Sequence, residues 1–192
     1  MIFYIDDFIS VDEEKELLKN IYSDDNKDKW TQLKRRRLQN WGGQPVSSGM
    51  IEEPLPSWLT NICDKIYEHS IFPVKANHVL LNEYNVNEGI FPHTDGPLFY
   101  PCVCILSLNS TCLMDFYKEI KKEAIQKIFL KPRSLLIFTQ DAYKTYFHGI
   151  KESFSDLITE NVINKNDTDL RVGTEIERDI RLSLTIRIVP NT

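Results

Sequence analysis

Past residue 74 the chain is written in short β-favouring runs: HVLLNEY (78–84), CVCILSLN (102–109), CLMDFY (112–117), SLLIFT (134–139), YFHGI (146–150) and IRLSLTIRIV (180–189). Pro, Gly, Asn and Asp punctuate them. No helix-length pattern separates them, so they fit a sandwich or barrel rather than βαβ units. Ahead of them stand two helical patterns. Ser10 with Glu13 makes a capping box before Leu17, Leu18 and Ile21. Pro56 and Ser57 open the second, with Leu59, Ile62 and Ile66 on one face. Helices followed by strands predict an α+β fold.

At 192 residues the chain fits one domain, read as an N-terminal part (1–76) and a strand-rich part (77–192). The segment 29–49 between the helices, KWTQLKRRRLQNWGGQPVSSG, reads as a β-hairpin or structured loop. The polar, acid-leaning 151–179 reads as a long solvated loop or insertion. A load of 3 Trp, 8 Tyr and 10 Phe argues against disorder. The net charge of −5 excludes a general basic coat for nucleic acid and leaves room only for a local patch. No apolar run approaches the ~18–20 residues of a membrane span. The N-terminus carries acids where a secretory leader would carry basic residues, so a cytoplasmic or nuclear setting is expected. Cys63, Cys102, Cys104 and Cys112 form no CxxC pair and are expected to be reduced and mostly buried.

Chemistry concentrates in three places. In FPHTDGP, His93 and Asp95 lie two apart, so extended backbone turns both to one face. An imidazole and a carboxylate so placed are two-thirds of a facial triad for non-haem Fe(II). The third ligand should be a distant strand histidine, and of the remaining His69, His78 and His148 the last lies inside YFHGI. His78 shares strand parity with Asn82, with a satisfied core histidine the plainer reading. His69, near a helix end, suits the helix dipole.

In IRLSLTIRIV, Arg181, Ser183, Thr185 and Arg187 share a face. Two arginines there describe either a wet face or a hollow that takes an anion, since a buried guanidinium needs a counter-charge. A dianion such as 2-oxoglutarate fits the second case. In LNEYN, Asn82 and Tyr84 again share a face and offer an amide and a phenol.

The order N-x-Y, H-x-D, distant H and R-x-S-x-x-x-R resembles the AlkB-type Fe(II)/2-oxoglutarate dioxygenases. WTQLKRRRLQNWGG, ANHVLLNEY and EGIFPHTDGPLFYP are similar to their eukaryotic sixth-homologue branch. The resemblance implies a double-stranded β-helix (jelly roll) with the N-terminal elements as a substrate-recognition lid. It places His93, Asp95 and His148 as iron ligands. Asn82, Tyr84, Ser183, Arg181 and Arg187 become 2-oxoglutarate contacts, Arg181 at the distal carboxylate and Arg187 nearer the keto acid end. It implies Fe(II), 2-oxoglutarate and O2 as cofactor and co-substrates, and oxidative demethylation or dealkylation of single-stranded or flipped-base nucleic acid; the oligomeric state is open, with a monomer favoured.

Lys34, Arg35, Arg36 and Arg37, flanked by Trp30 and Trp41, are then expected to track phosphates and stack bases. Tyr100 and Leu98 read equally as pocket walls and as core packing. The alternatives are the same chemistry on a protein side chain, which the acidic charge favours, and a binding module without turnover.

Overall fold

The computed structural model describes residues 1–166, 168 and 170–190. Seven strands build a large antiparallel sheet: β1 (Ile2–Ile5), β2 (Thr31–Gln32), β3 (Arg37–Trp41), β6 (His78–Tyr84), β8 (Cys102–Leu108), β11 (Leu135–Thr139) and β15 (Arg181–Arg187), in the order β1-β11-β8-β15-β6-β3-β2. Four more, β7 (Ile90–His93), β9 (Cys112–Tyr117), β10 (Gln126–Leu130) and β12 (Phe147–Ile150), form a smaller sheet in the order β10-β9-β12-β7. From β6 onward the chain passes back and forth between the two sheets, with β9 and β10 a hairpin within the small one, which is the path of a jelly roll. Two hairpins stand apart, β4 (Gly43–Val46) with β5 (Gly49–Glu52) and β13 (Ser155–Leu157) with β14 (Glu175–Glu177).

Period-two patterning explains the layering. Along β15, Leu182, Leu184 and Ile186 point to one side and join Leu17, Ile21, Leu59 and Ile66 of α1 (Val11–Ile21) and α2 (Ser57–Glu68) in one cluster. On the other side Val103, Ile105, Leu136 and Phe138 of the large sheet pack with Met114, Phe116, Ile128 and Leu130 of the small one. Each large aliphatic side chain so buried contributes about 1.5–3 kcal/mol. The capping box forms as the sequence predicts, Ser10 Oγ accepting from Glu13 N and Glu13 Oε2 accepting from Ser10 N. The four cysteines are free and buried. Among the described residues no helix is long and apolar enough to cross a membrane.

Two expectations change. The 151–179 segment is not simply a solvated loop: Ile158 and Val162 are buried against Leu113 and Phe129 on the outer face of the small sheet. Arg178 clamps the buried Asp156 through two hydrogen bonds of 2.5 and 2.7 Å. The boundary at 76 is also not a structural one, because β1, β2 and β3 complete both edges of the large sheet.

The cation run has a structural member. Arg37 donates to the buried Glu83 at 2.6 and 2.9 Å, stacks on Trp30 at 4.1 Å, and shares Glu83 with the Tyr22 hydroxyl at 2.5 Å. Glu83→Ala is expected to cost about 2 kcal/mol in urea unfolding, less than a fully buried pair because Arg37 is partly open to water. An unchanged midpoint would contradict that.

Candidate active site

β15 and β6 pair with Arg181 opposite Tyr84, Ser183 opposite Asn82 and Arg187 opposite His78. The same pairing therefore puts both arginines and the N-x-Y pair on the face that looks at the small sheet. From that sheet β12 and β7 set His148 opposite His93. Gly149 allows the close approach, since a Cβ there would meet the Ile90 carbonyl and the Pro92 backbone nitrogen at 2.9 Å. Gly149→Ala should therefore push the two histidine strands apart and weaken metal binding, which metal titration measures.

β7 ends at His93, so Asp95 sits in the following loop rather than on the strand. Its carboxylate still reaches inward, with Oδ2 3.8 Å from His148 Nε2, while the two imidazole centroids are 4.4 Å apart. His93, Asp95, His148, Asn82, Tyr84, Arg181, Ser183 and Arg187 all line one cavity of about 460 Å³. Leu80, Ile105, Met114 and Ile150 give it apolar walls.

The charges in this cavity are unequal. Arg187 Nη1 donates to Asp95 Oδ1 at 2.9 Å and its guanidinium lies 4.2 Å from the Phe99 ring. Arg181 is 3% exposed and, among the described residues, its side chain donates to Ser107 Oγ alone, at 2.8 Å. Among the described residues no carboxylate pairs with it. The Nε atoms of both arginines are buried without a partner. The arginine face is therefore not a wet strand face but a buried surplus of positive charge.

Among the described residues, no three His, Cys, Asp or Glu side chains stand closed around one metal position. His93 Nδ1 rests on the Phe91 carbonyl at 2.8 Å, and Arg187 holds one oxygen of Asp95. The donor set nevertheless suits Fe(II). Asp95 Oδ2 is buried with no hydrogen-bond partner. Burial pulls the His148 imidazole down to about 4, against the pull of Asp95, which keeps it neutral and its lone pair free at pH 7.

The cation run does not form one stripe. Lys34 is exposed on the β2–β3 turn; Arg35 ion-pairs with Glu152 and stacks 4.5 Å from Phe91; Arg36 Nε donates to Asn82 Oδ1 at 2.9 Å inside the cavity; Arg37 lies behind the sheet on Glu83. Arg36 stands just before β3 and Arg37 opens it, and the two neighbours turn to opposite sides of the sheet. Trp41 is 6% exposed, packs edge-on to Trp58 at 5.5 Å and donates to Gln39, so its ring is not available to a base.

Tyr100 lines a different hollow beside Tyr67 and Phe72, and Leu98 does not line the site, because both follow the loop away from it. His78 is a core histidine bonded to Asn40, and His69 caps α2. The lid is narrower than expected: of the N-terminal elements only Arg35 and Arg36 reach the cavity, while both helices pack behind the large sheet. Phe91 and Thr185 also line the cavity, and Glu152 sits beside it on Arg35. Parity with Arg181 and Arg187 pointed to Thr185, whereas no local signal joins Glu152 to Arg35.

Known proteins resemble this chain to different depths. A Danio rerio protein named "Probable RNA/DNA demethylase ALKBH6" is 44% identical over 201 residues, covering 98% of this chain and 86% of its own. "Uncharacterized protein L905" of Acanthamoeba polyphaga mimivirus is 32% identical, covering 96% of this chain and 83% of its own. Among solved structures, OsALKBH1 superposes with a TM-score of 0.65 over 97% of both chains at 15% identity. A Pseudomonas putida prolyl-4-hydroxylase does so at 0.55, covering 97% and 92% at 9% identity. Likeness at such identities speaks for the jelly roll alone. The profile of the 2OG-Fe(II) oxygenase superfamily, whose members use Fe(II), 2-oxoglutarate and O2, matches residues 14–187. Its match runs through both histidine strands and both arginines, and the chain belongs to that superfamily.

Proposed function

We propose that this dioxygenase removes methyl or other alkyl groups from nucleic-acid bases by oxidation. The observation that carries the co-substrate reading is Arg181: a guanidinium buried beside a cavity, without a counter-charge, is costly unless a carboxylate meets it. Arg181 takes the distal carboxylate of 2-oxoglutarate, assisted by Tyr84, Asn82 and Ser183. Arg187 keeps Asp95 in place and has donors left for the keto acid end.

His93, Asp95 and His148 hold the iron. Iron there supplies redox chemistry, coupling oxidative decarboxylation of 2-oxoglutarate by O2, to succinate and CO2, with hydroxylation of a substrate C–H. An N-methyl hydroxylated in this way releases formaldehyde and leaves the demethylated base. The protein's own share is to neutralise the co-substrate, exclude water with Ile105, Met114 and Ile150, and present the C–H.

Support for nucleic acid comes from the name of the Danio rerio relative and from the mouth of the cavity, where Arg35, Arg36 and Phe91 combine cation and aromatic. The test is an assay in which the protein is loaded anaerobically with Fe(II), 2-oxoglutarate and N-methylated single-stranded RNA or DNA and O2 is then admitted. Formaldehyde equal to succinate supports the reading. Succinate formation that no strand accelerates contradicts it. A net charge of −5 favours the second reading, a protein side chain, which a methylated peptide array run alongside would show.

A further inference from the structure

A second cavity of about 450 Å³ adjoins the first. Arg35, Ile90, Phe91 and Ile150 line both, so a chain leaving the iron site crosses Phe91 to reach Tyr117, Lys151 and Glu152. Phe91 is 68% exposed, more than any other large hydrophobic side chain among the described residues. Arg35 lies over its ring at 4.5 Å. The carboxylate held by Arg35 is Glu152, and both side chains of that pair are more than a third open to water, so the pair itself is weak. Lys151, also exposed, reaches Asp115 across 3.5 Å.

We infer that this second cavity is a subsite for the nucleotide next to the target base in a single strand. The neighbouring base rests on Phe91, and its phosphate takes Arg35 from Glu152. A flat guanidinium matches a phosphate through two parallel hydrogen bonds as well as it matches a carboxylate, and the exposed pair with Glu152 costs little to exchange. An aromatic platform beside a cation is the usual pairing in single-strand grooves. The inference rests on the nucleic-acid reading above and adds to it a role for Glu152, that of a competitor which the phosphate displaces.

Opposite signs make this testable. The full chain, loaded with Mn(II) and 2-oxoglutarate, is titrated into 5′-fluorescein-labelled (dT)6 and followed by anisotropy at several salt concentrations. Glu152→Gln frees Arg35 and tightens binding about 3–10-fold. Arg35→Ala weakens it about 10-fold and lowers the slope of log affinity against log salt by about 0.7, the share of one phosphate on a single strand. Phe91→Ala weakens it by about 5-fold or more. If the Arg35–Glu152 pair were only a latch on the turn, both of its variants would weaken binding together, and the subsite would be overturned. Tight wild-type binding that none of the three variants alters overturns the subsite and leaves the nucleic-acid reading standing. No wild-type binding at all overturns both.

Discussion

Arg181→Met is expected to stabilise the ligand-free protein while abolishing its response to 2-oxoglutarate. In the wild-type chain this guanidinium is buried, donates to one hydroxyl and meets no carboxylate. Replacing a poorly compensated buried charge with an apolar side chain of similar length gains about 1–3 kcal/mol, after the loss of the Ser107 contact. For a chain of this size that raises the thermal midpoint by about 3–10 °C. Wild-type protein with Mn(II) should rise further with 2-oxoglutarate, by about 2.7 kcal/mol at a hundredfold excess over the dissociation constant, and the variant should not. Thermal scans with and without 2-oxoglutarate check both halves. A variant that is less stable and still shifted by the co-substrate would refute the assignment.

Asp95→Ala should do the reverse to stability. Arg187 would lose the carboxylate that holds it at 2.9 Å, leaving two buried guanidinium groups in one cavity without a counter-charge. Breaking such a pair from one side costs about 3–5 kcal/mol. The same change removes a proposed iron ligand, so 2-oxoglutarate-dependent succinate formation should fall below detection. Asp95→Asn keeps an acceptor for Arg187 and should recover most of the stability but little of the turnover. Urea unfolding beside a succinate assay separates the two effects. Equal losses of stability in both variants would show that the Arg187 contact is not what matters.

Much of this site was legible because its spacings are strand spacings. Asn82 with Tyr84, and Arg181 with Ser183 and Arg187, keep the parity that a single face requires, and the pairing of β6 with β15 brings the two sets together. What the pattern cannot say is which face is wet. A line of Arg, Ser, Thr and Arg reads alike as solvated surface and as buried hollow until the small sheet is seen to cover it.

The run from Lys34 to Arg37 is ambiguous for a related reason. Its charge density suggests one stripe, but neighbouring positions turn to opposite sides, Arg36 into the cavity and Arg37 to Glu83 behind it. Trp41 suffered likewise, its neighbours' charge suggesting a surface ring where the strand turns it toward Trp58. In 151–179 a polar composition concealed the few apolar side chains, Ile158 and Val162 above all, that seat the segment on the small sheet. The Arg35–Glu152 pair joins residues far apart in the chain and leaves no local trace.

The most direct measurement is a crystal structure grown anaerobically with Mn(II) and N-oxalylglycine, the inert analogue of 2-oxoglutarate. We expect one metal bound by His93, Asp95 and His148 together, and the analogue's far carboxylate on Arg181. Metal bound without His148, or the analogue seated away from Arg181, would contradict the account.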